Sequence, residues 1–358
     1  MLRLSGMATV MNAVKTHWPM ISNTFSNRYN AKSHTFVGVD ISNRTVKLLQ
    51  LHQENKTFEV KAYSIISMPA TAVITKEIKD IVATANAVKK AITQGNITAA
   101  YAAVAIDDAS VINKLIQMDA TLSDYEIEQQ IYFEAEKYIP FKLSEVNFDF
   151  KIMGPSTNSA DWCDVQLTIA RSENISAYEQ ALSQAGLILK IVDLESYALQ
   201  RVAELMAAHL PNRGINKVIA MVDVGELRTT LTILYNLSQI FNRNEIFGMQ
   251  QFTNDILSCE EKNLRLFKSA LVQHLQRALQ FFFSAKPYSE IHTLLLVGNC
   301  AIVPNITDYL TEQLNIPTLI ANPFIDMSIS SHIDSEKFLQ VAPVLTISCG
   351  LAVRECSL

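Results

Sequence analysis

The stretch Phe36-Val-Gly-Val-Asp-Ile-Ser-Asn-Arg-Thr-Val-Lys-Leu-Leu-Gln-Leu51 recurs in plan later in the chain, and this repetition constrains the fold more than any other feature. In the first copy the apolar run Phe36 to Val39 reads as a buried strand that delivers Asp40 to its end. A small polar turn, Ile41 to Arg44, then leads into a strand with Thr45, Lys47, Leu49 and Leu51 on it. The second copy, Lys217 to Tyr235, has an apolar strand, Asp223, a turn containing Gly225 and a Thr-rich strand with Thr229 and Thr230. Each copy continues into a third strand, Phe58 to Ile66 and Gln239 to Phe247. Two such units facing each other place Asp40 and Asp223 across one cleft. A carboxylate at a strand end can hold a hydrated divalent cation, the N–H groups of the turn can approach a phosphate, and Lys47 adds a nearby positive charge. A single copy describes an ordinary hairpin equally well; the repetition makes it a ligand-site expectation.

With 358 residues, 49% of them hydrophobic and 18% charged, the chain can bury the cores of two or more domains. Its net charge of -5 and the lack of a basic stripe exclude the electrostatic footprint of a nucleic-acid partner. The five cysteines form no C-x-x-C pair, which argues against a disulfide framework or zinc site and fits a reducing cytoplasm. No run reaches the roughly 18 to 20 apolar residues of a membrane span, and a continuous signal-peptide core is lacking, so the chain reads as neither spanning nor secreted. Residues 1–35 contain no Asp or Glu but carry Arg3, Lys15, Arg28 and Lys32. Met7, Met11, Val14, Trp18 and Ile21 recur there at helical spacing, so this extension reads as an amphipathic, membrane-surface helix, as a disordered leader, or as residues ahead of a later start such as Met7 or Met11.

Between the copies, the apolar periodicity predicts a helix over Lys76–Gln94 that stops at Gly95. Strands follow at Ala100–Asp107 and Val111–Gln117, and Ser123-Asp-Tyr-Glu126 makes a capping box for a helix over Asp124–Tyr138. Glu126, Glu128, Glu134 and Glu136 have no histidine in register and read as a solvated face, not a metal site. A hairpin at Val146–Met153 and Asp164–Ala170, a helix up to Gly186 and a strand at Leu187–Val192 complete a compact α/β module over residues 113–190. After the second copy comes a long helix, Glu260–Ser284, whose Phe281-Phe282-Phe283 cluster reads as core. Thr293–Val297 then forms a buried strand leading to Gly298-Asn299, a small turn of the kind on which α/β folds place ligands such as adenine. A helix over Val341–Glu355 is expected to return to the first domain.

Several of these segments resemble the PilM family of type IV pilus assembly, which is actin-like, and more distantly FtsA of cell division. The resemblance covers most of residues 36–354. It is carried by Val37-Gly-Val-Asp-Ile-Ser with Val46-Lys47, by Glu136-Lys-Tyr-Ile-Pro-Phe141 with Glu145-Val-Asn-Phe-Asp-Phe150, by Asp223-Val-Gly225 and by Asn322-Pro-Phe324. It implies an α/β, actin-like fold of two RNase H-like domains around a nucleotide cleft, with an inserted FtsA-type α/β subdomain. The implied division is a basic extension over 1–35, a first domain over 36–112 with 191–212 and 340–358, the insert at 113–190, and a second domain over 213–339 with a shortened outer subdomain.

Residue by residue, the resemblance assigns nucleotide contacts to Asp40, Ser42, Asn43, Lys47, Asp223, Gly225, Thr229, Thr230, Gly298 and Asn299. It makes Asp40 and Asp223 the metal-side residues for Mg2+ beside ATP. Ser42 stands where the pattern has glycine, Gly298-Asn299 where it has Gly-Gly, and Gly248-Met249 where it has a glycine pair. The segment between Asp255-Ile256 and Glu260 is short, so the acidic-Lys pair that grips the nucleoside is missing and weakened nucleotide binding is expected. Asp193 and Glu195 are the candidates for a water-positioning carboxylate. The implied partner is the cytoplasmic tail of a PilN-like inner-membrane protein, held beside the insert by Tyr125, Tyr132, Tyr138, Ile139 and Phe141, with other pilus platform and motor proteins as further partners. The resulting expectation is a cytoplasmic scaffold peripheral to a bacterial inner membrane, touching it indirectly or through residues 1–30, and at most a weak ATPase. The alternatives are an active ATPase of the actin-like superfamily or an FtsA-like filament protein.

Overall fold

The computed structural model describes residues 36–55, 57–156, 159, 161–252 and 260–355. The basic extension and the shortened segment around Asp255 lie outside the described residues. In the first unit, strands β1 (Phe36–Ile41), β2 (Thr45–Glu54) and β3 (Thr57–Ser67) are followed by the short pair β4 (Val73–Ile74) and β5 (Glu77–Ile78), helix α1 (Ile81–Gly95) and β6 (Tyr101–Ile106). The insert region runs through β7 (Val111–Asp119), α2 (Asp124–Phe133), α3 (Ala135–Tyr138), β8 (Val146–Pro155), β9 (Trp162–Arg171), α4 (Ser172–Ala185), β10 (Ile188–Leu194) and α5 (Glu195–Leu205). The second unit comprises β11 (Val218–Val224), β12 (Thr229–Tyr235), β13 (Ser238–Glu245), α6 (Glu261–Ala285), β14 (Thr293–Val297), α7 (Ile306–Leu314) and β15 (Thr318–Ile320). The chain then passes through β16 (Ser328–Ile329), α8 (Ser335–Val341) and α9 (Thr346–Glu355).

The repeat read from the sequence is present as topology. One sheet runs β10-β6-β1-β2-β3-β16 and the other β13-β12-β11-β14-β15. In both, the first three strands of a unit form an antiparallel meander, and two further strands add in parallel on the other side. Phe36–Ile41 and Val218–Val224 are apolar almost throughout because each is the central strand of its sheet and is covered on both faces.

Four boundaries differ from the sequence expectation. The module of residues 113–190 has its own three-stranded sheet, β7-β9-β8, but that sheet ends at Arg171. Ile175, Tyr178, Leu182 and Ala185 of α4 pack with α1 into the core of the first sheet, and β10 is an edge of that sheet. The late strand Ser328–Ile329, expected with the second domain, also pairs with β3 of the first. The predicted helix over Asp124–Tyr138 is two pieces that break at Glu134. The helix expected from Lys76 starts only at Ile81, capped by the Asp80 side chain, because residues 73–78 form a tight antiparallel hairpin.

The C-terminal helix is locked between the first sheet and α5 by two glycines. A Cβ on Gly38 would lie 2.0 Å from the Ser348 carbonyl oxygen, and one on Gly350 would lie 2.1 Å from that of Ala198. Only hydrogen at these two positions permits backbone to touch backbone. Residues Ser335–Arg354 are long and apolar enough to cross a bilayer by length and composition, yet 67% of their most apolar window is buried in this packing, as in a core helix.

Candidate functional site

The two sheets present the ends of their central strands to a shared cleft. It is lined by Asp40, Ser42, Asn43, Lys47, Thr75, Lys76, Asp107, Glu195, the 223–228 turn, Thr230, Gly298 and Asn299. Of the ten nucleotide-contact residues expected from the sequence, nine line this cleft. Thr229 does not: its buried hydroxyl donates to the Phe247 carbonyl at 2.9 Å inside the second unit.

Asp40 and Lys47 face each other in the antiparallel register of β1 and β2, and their side chains form a buried ion pair at 2.8 Å. The other Asp40 oxygen is 3.2 Å from the ammonium of Lys76, which also reaches Glu195 Oε1 at 2.5 Å. Burial alone would push the Asp40 carboxyl up, but the Lys47 and Lys76 charges outweigh it and hold it well below the usual carboxylate range. Burial pushes Glu195 the other way, to about 7, helped by Asp40 and Asp223 and opposed by Lys76. The Asp223 carboxylate makes no hydrogen bond or contact ion pair among the described residues, and burial raises its pKa too.

The turns are shaped by local bonding. Ser42 N–H donates to the Thr45 carbonyl at 2.9 Å, so that backbone donor closes the hairpin and does not point at the cleft. Ser42 is not among the residues with left-handed backbone, and the glycine expected in its place is not demanded by conformation. Gly298 is different: its φ is +73°, and a Cβ there would sit 2.3 Å from Asp223 Oδ1. That glycine keeps the 298–299 turn against Asp223. Gly225 N–H closes its turn on the Arg228 carbonyl at 2.8 Å, and Met249 N–H donates to the Gly225 carbonyl at 3.1 Å.

The halves are also joined directly across the cleft. Arg44 of the first turn pairs with Glu226 at 3.2 Å. Asp107, after β6, accepts from Arg228 at 2.7 Å and from the Asn244 amide at 2.8 Å, and Asn244 in turn accepts from Thr230.

Of the two water-positioning candidates, only Glu195 faces the cleft. Asp193 is buried and bound by Arg201 and, at 3.2 Å, by Arg354, which ties the C-terminal helix to α5. It is a structural ion-pair centre. Asp108, not Asp193, caps α5, accepting from the Ser196 N–H at 3.1 Å and from the Ser196 hydroxyl.

Sequence reasoning missed Lys76, Asp107 and Arg228. Lys76 was hidden by the alternating charges that read as helix; the run Val73-Ile-Thr-Lys-Glu-Ile78, with the β-branched Val73, Ile74 and Ile78 on either side of a polar dipeptide, was the available hairpin signal. Asp107 and Arg228 are joined only by the tertiary fold, and no local pattern marks them.

The insert residues separate into two groups. Tyr125 is 57% exposed and Tyr132 is exposed with its ring edge on Phe148, and beside them Phe133 is 81% exposed. Ile139, expected at the partner surface, is 3% exposed and belongs to the insert's core. Tyr138 is half-buried with its hydroxyl on Glu134 at 2.7 Å, and Phe141 is packed beneath the Arg171 guanidinium. A second groove, between residues 75–79, residues 106–110 and α4, runs where the insert joins the first sheet and shares Thr75, Lys76 and Asp107 with the cleft.

Comparison with solved structures places this architecture. The chain superposes on a PilM–PilN type IV pilus biogenesis complex with a TM-score of 0.73 at 23% identity, covering 89% of this chain and 97% of that one. It also matches the ethanolamine utilization protein EutJ from Carboxydothermus hydrogenoformans, with a TM-score of 0.52 at 14% identity and 91% of each chain covered. The fold is therefore the actin-like one, two RNase H-like domains with an inserted α/β subdomain. The family model described as type IV pilus assembly protein PilM matches residues 38–260 and 257–356, nearly the whole described chain, and the chain belongs to that family.

Proposed function

We propose that this chain is a cytoplasmic, actin-like adaptor of the type IV pilus inner-membrane platform, and that it binds the short cytoplasmic tail of a PilN-like membrane protein. The observation that carries the reading is the family match over residues 38–260 and 257–356. The solved structure with a TM-score of 0.73 is a PilM–PilN complex, which supports the choice of partner. On this chain, the exposed Tyr125, Tyr132 and Phe133 on one short helix supply aromatic anchors, and the groove along α4 supplies a track for an extended or helical peptide. Membrane contact is made through that partner or through residues 1–30.

The deciding experiment is fluorescence anisotropy with the labelled cytoplasmic tail of the pilus membrane partner. Saturable binding by the wild-type chain is expected, and the double variant Tyr125→Ala/Phe133→Ala should weaken it roughly tenfold or more while leaving the melting temperature in place. No binding by the wild-type chain refutes the adaptor reading.

The cleft is the place for nucleotide in this reading, with Lys47 and Lys76 near the phosphates, the 225–228 and 298–299 turns closing over them, and binding that is weak. A slow ATPase is the second reading, favoured by Glu195, a buried carboxyl in the cleft that titrates near 7. Phosphate release assayed with Mg-ATP decides it, and turnover at or below the buffer blank removes it.

A further inference from the structure

Lys76 sits at the tip of the Val73–Ile78 hairpin, where both turn residues are left-handed: φ is 48° at Thr75 and 66° at Lys76. Such two-residue turns favour Asn-Gly, and a Thr-Lys pair there is strained. The surroundings hold it in place: Lys76 N–H donates to Asn43 Oδ1 at 3.4 Å, and its carbonyl accepts the hydroxyl of buried Tyr178 at 2.9 Å. The result is an ammonium delivered between Asp40 and Glu195, on the side of the cleft that faces Asp223.

A divalent ion on Asp40 and Asp223 does not fit this arrangement. Both Asp40 oxygens already carry lysine ammoniums, and among the described residues no set of three or more His, Cys, Asp or Glu side chains is grouped to hold a metal. Two ammoniums (Lys47, Lys76) already offset two of the three carboxylates (Asp40, Glu195, Asp223), so a single negative charge is left before any ion arrives.

We propose that Lys76 is a tethered replacement for the divalent cation of the cleft, so that the ligand-free protein takes up no divalent metal there. The strained hairpin is the device that holds the lysine in the ion's place. This deepens the reading of the cleft as a nucleotide site, but its test involves neither nucleotide nor the tail peptide, so it succeeds or fails separately.

The test is titration of Mn2+ alone into the full chain, followed by the loss of the free-ion EPR signal. Wild type should show no stoichiometric site below millimolar concentration. Lys76→Met, which keeps the stem and removes the charge, should acquire one site at least tenfold tighter, lost again in Lys76→Met/Asp40→Asn. Lys76→Arg, which retains a cation, should remain without a site and serves as the folding control. A stoichiometric Mn2+ site in wild type that Asp40→Asn abolishes overturns the proposal. So does a Lys76→Met chain with unchanged circular dichroism that gains no site, or a Lys76→Arg chain that gains one.

Discussion

Asp40 and Asp223 occupy the same position in the two halves, each near the end of a central strand, and their electrostatics are opposite. The residue facing Asp40 in the antiparallel register is Lys47, whereas the residue facing Asp223 is Thr230. Asp40 is buried and held ionised by two lysines, while Asp223 has no contact ion pair among the described residues and titrates above its usual range. The difference teaches that a duplicated backbone plan need not carry duplicated chemistry. The cross-strand residue, Lys47 against Thr230, together with the Lys76 ammonium makes the first aspartate an internal salt-bridge centre and leaves the second a carboxylate open to the cleft.

The comparison breaks most visibly at Asp40. Asp40→Asn leaves Lys47 buried without its carboxylate, and removing one member of a buried pair costs about 3–5 kcal/mol. Urea denaturation of that variant should show a loss of this order. A loss under about 1 kcal/mol would mean that the pair is solvated and the contrast between the halves unreal.

The pH dependence sharpens it next. The folded-state pKa of Glu195 is raised from 4.5 to about 7, so the folded chain binds the extra proton and this group's stability contribution is lost as pH rises from about 4.5 through 7. Asp40 behaves oppositely: its folded pKa is lowered from 3.8, so its contribution is present above that value and lost as pH falls below it. Glu195→Gln should therefore gain stability relative to wild type between about pH 5 and pH 8. A difference that stays constant over that range contradicts the shift.

The smallest effect is expected in the second half. Asp223→Asn removes a carboxylate that burial already disfavours, so the stability change should stay within about 1 kcal/mol in either direction. A loss matching that of Asp40→Asn would show that Asp223 has a strong partner and that the halves are electrostatically alike.

Much of this was legible in the primary structure. The duplicated strand-turn-strand plan appears as two sheets of matching strand order, and most of the expected contact residues line one cleft, because alternation and apolar runs report directly on burial. The capping box Ser123–Glu126 and the long amphipathic helix Glu261–Ala285 were legible for the same local reason. Boundaries were less so. Helix α4 looks like part of the insert in sequence, and only the contacts of Ile175 and Tyr178 assign it to the first sheet. Ile139 lies in residues 136–141, one of the stretches that carry the family resemblance, yet it is core, since a conspicuous motif does not reveal which way a side chain faces.

The sequence alone determined the two-fold architecture, the central strands and the acidic residues at their ends, because these follow from periodicity over neighbouring residues. Only the tertiary structure decided what surrounds those acids. Lys76 is 36 residues from Asp40, and Arg228 is 121 from Asp107. Pairings at that distance depend on how whole sheets are brought together, and electrostatic energy depends on that separation in space and not on separation along the chain.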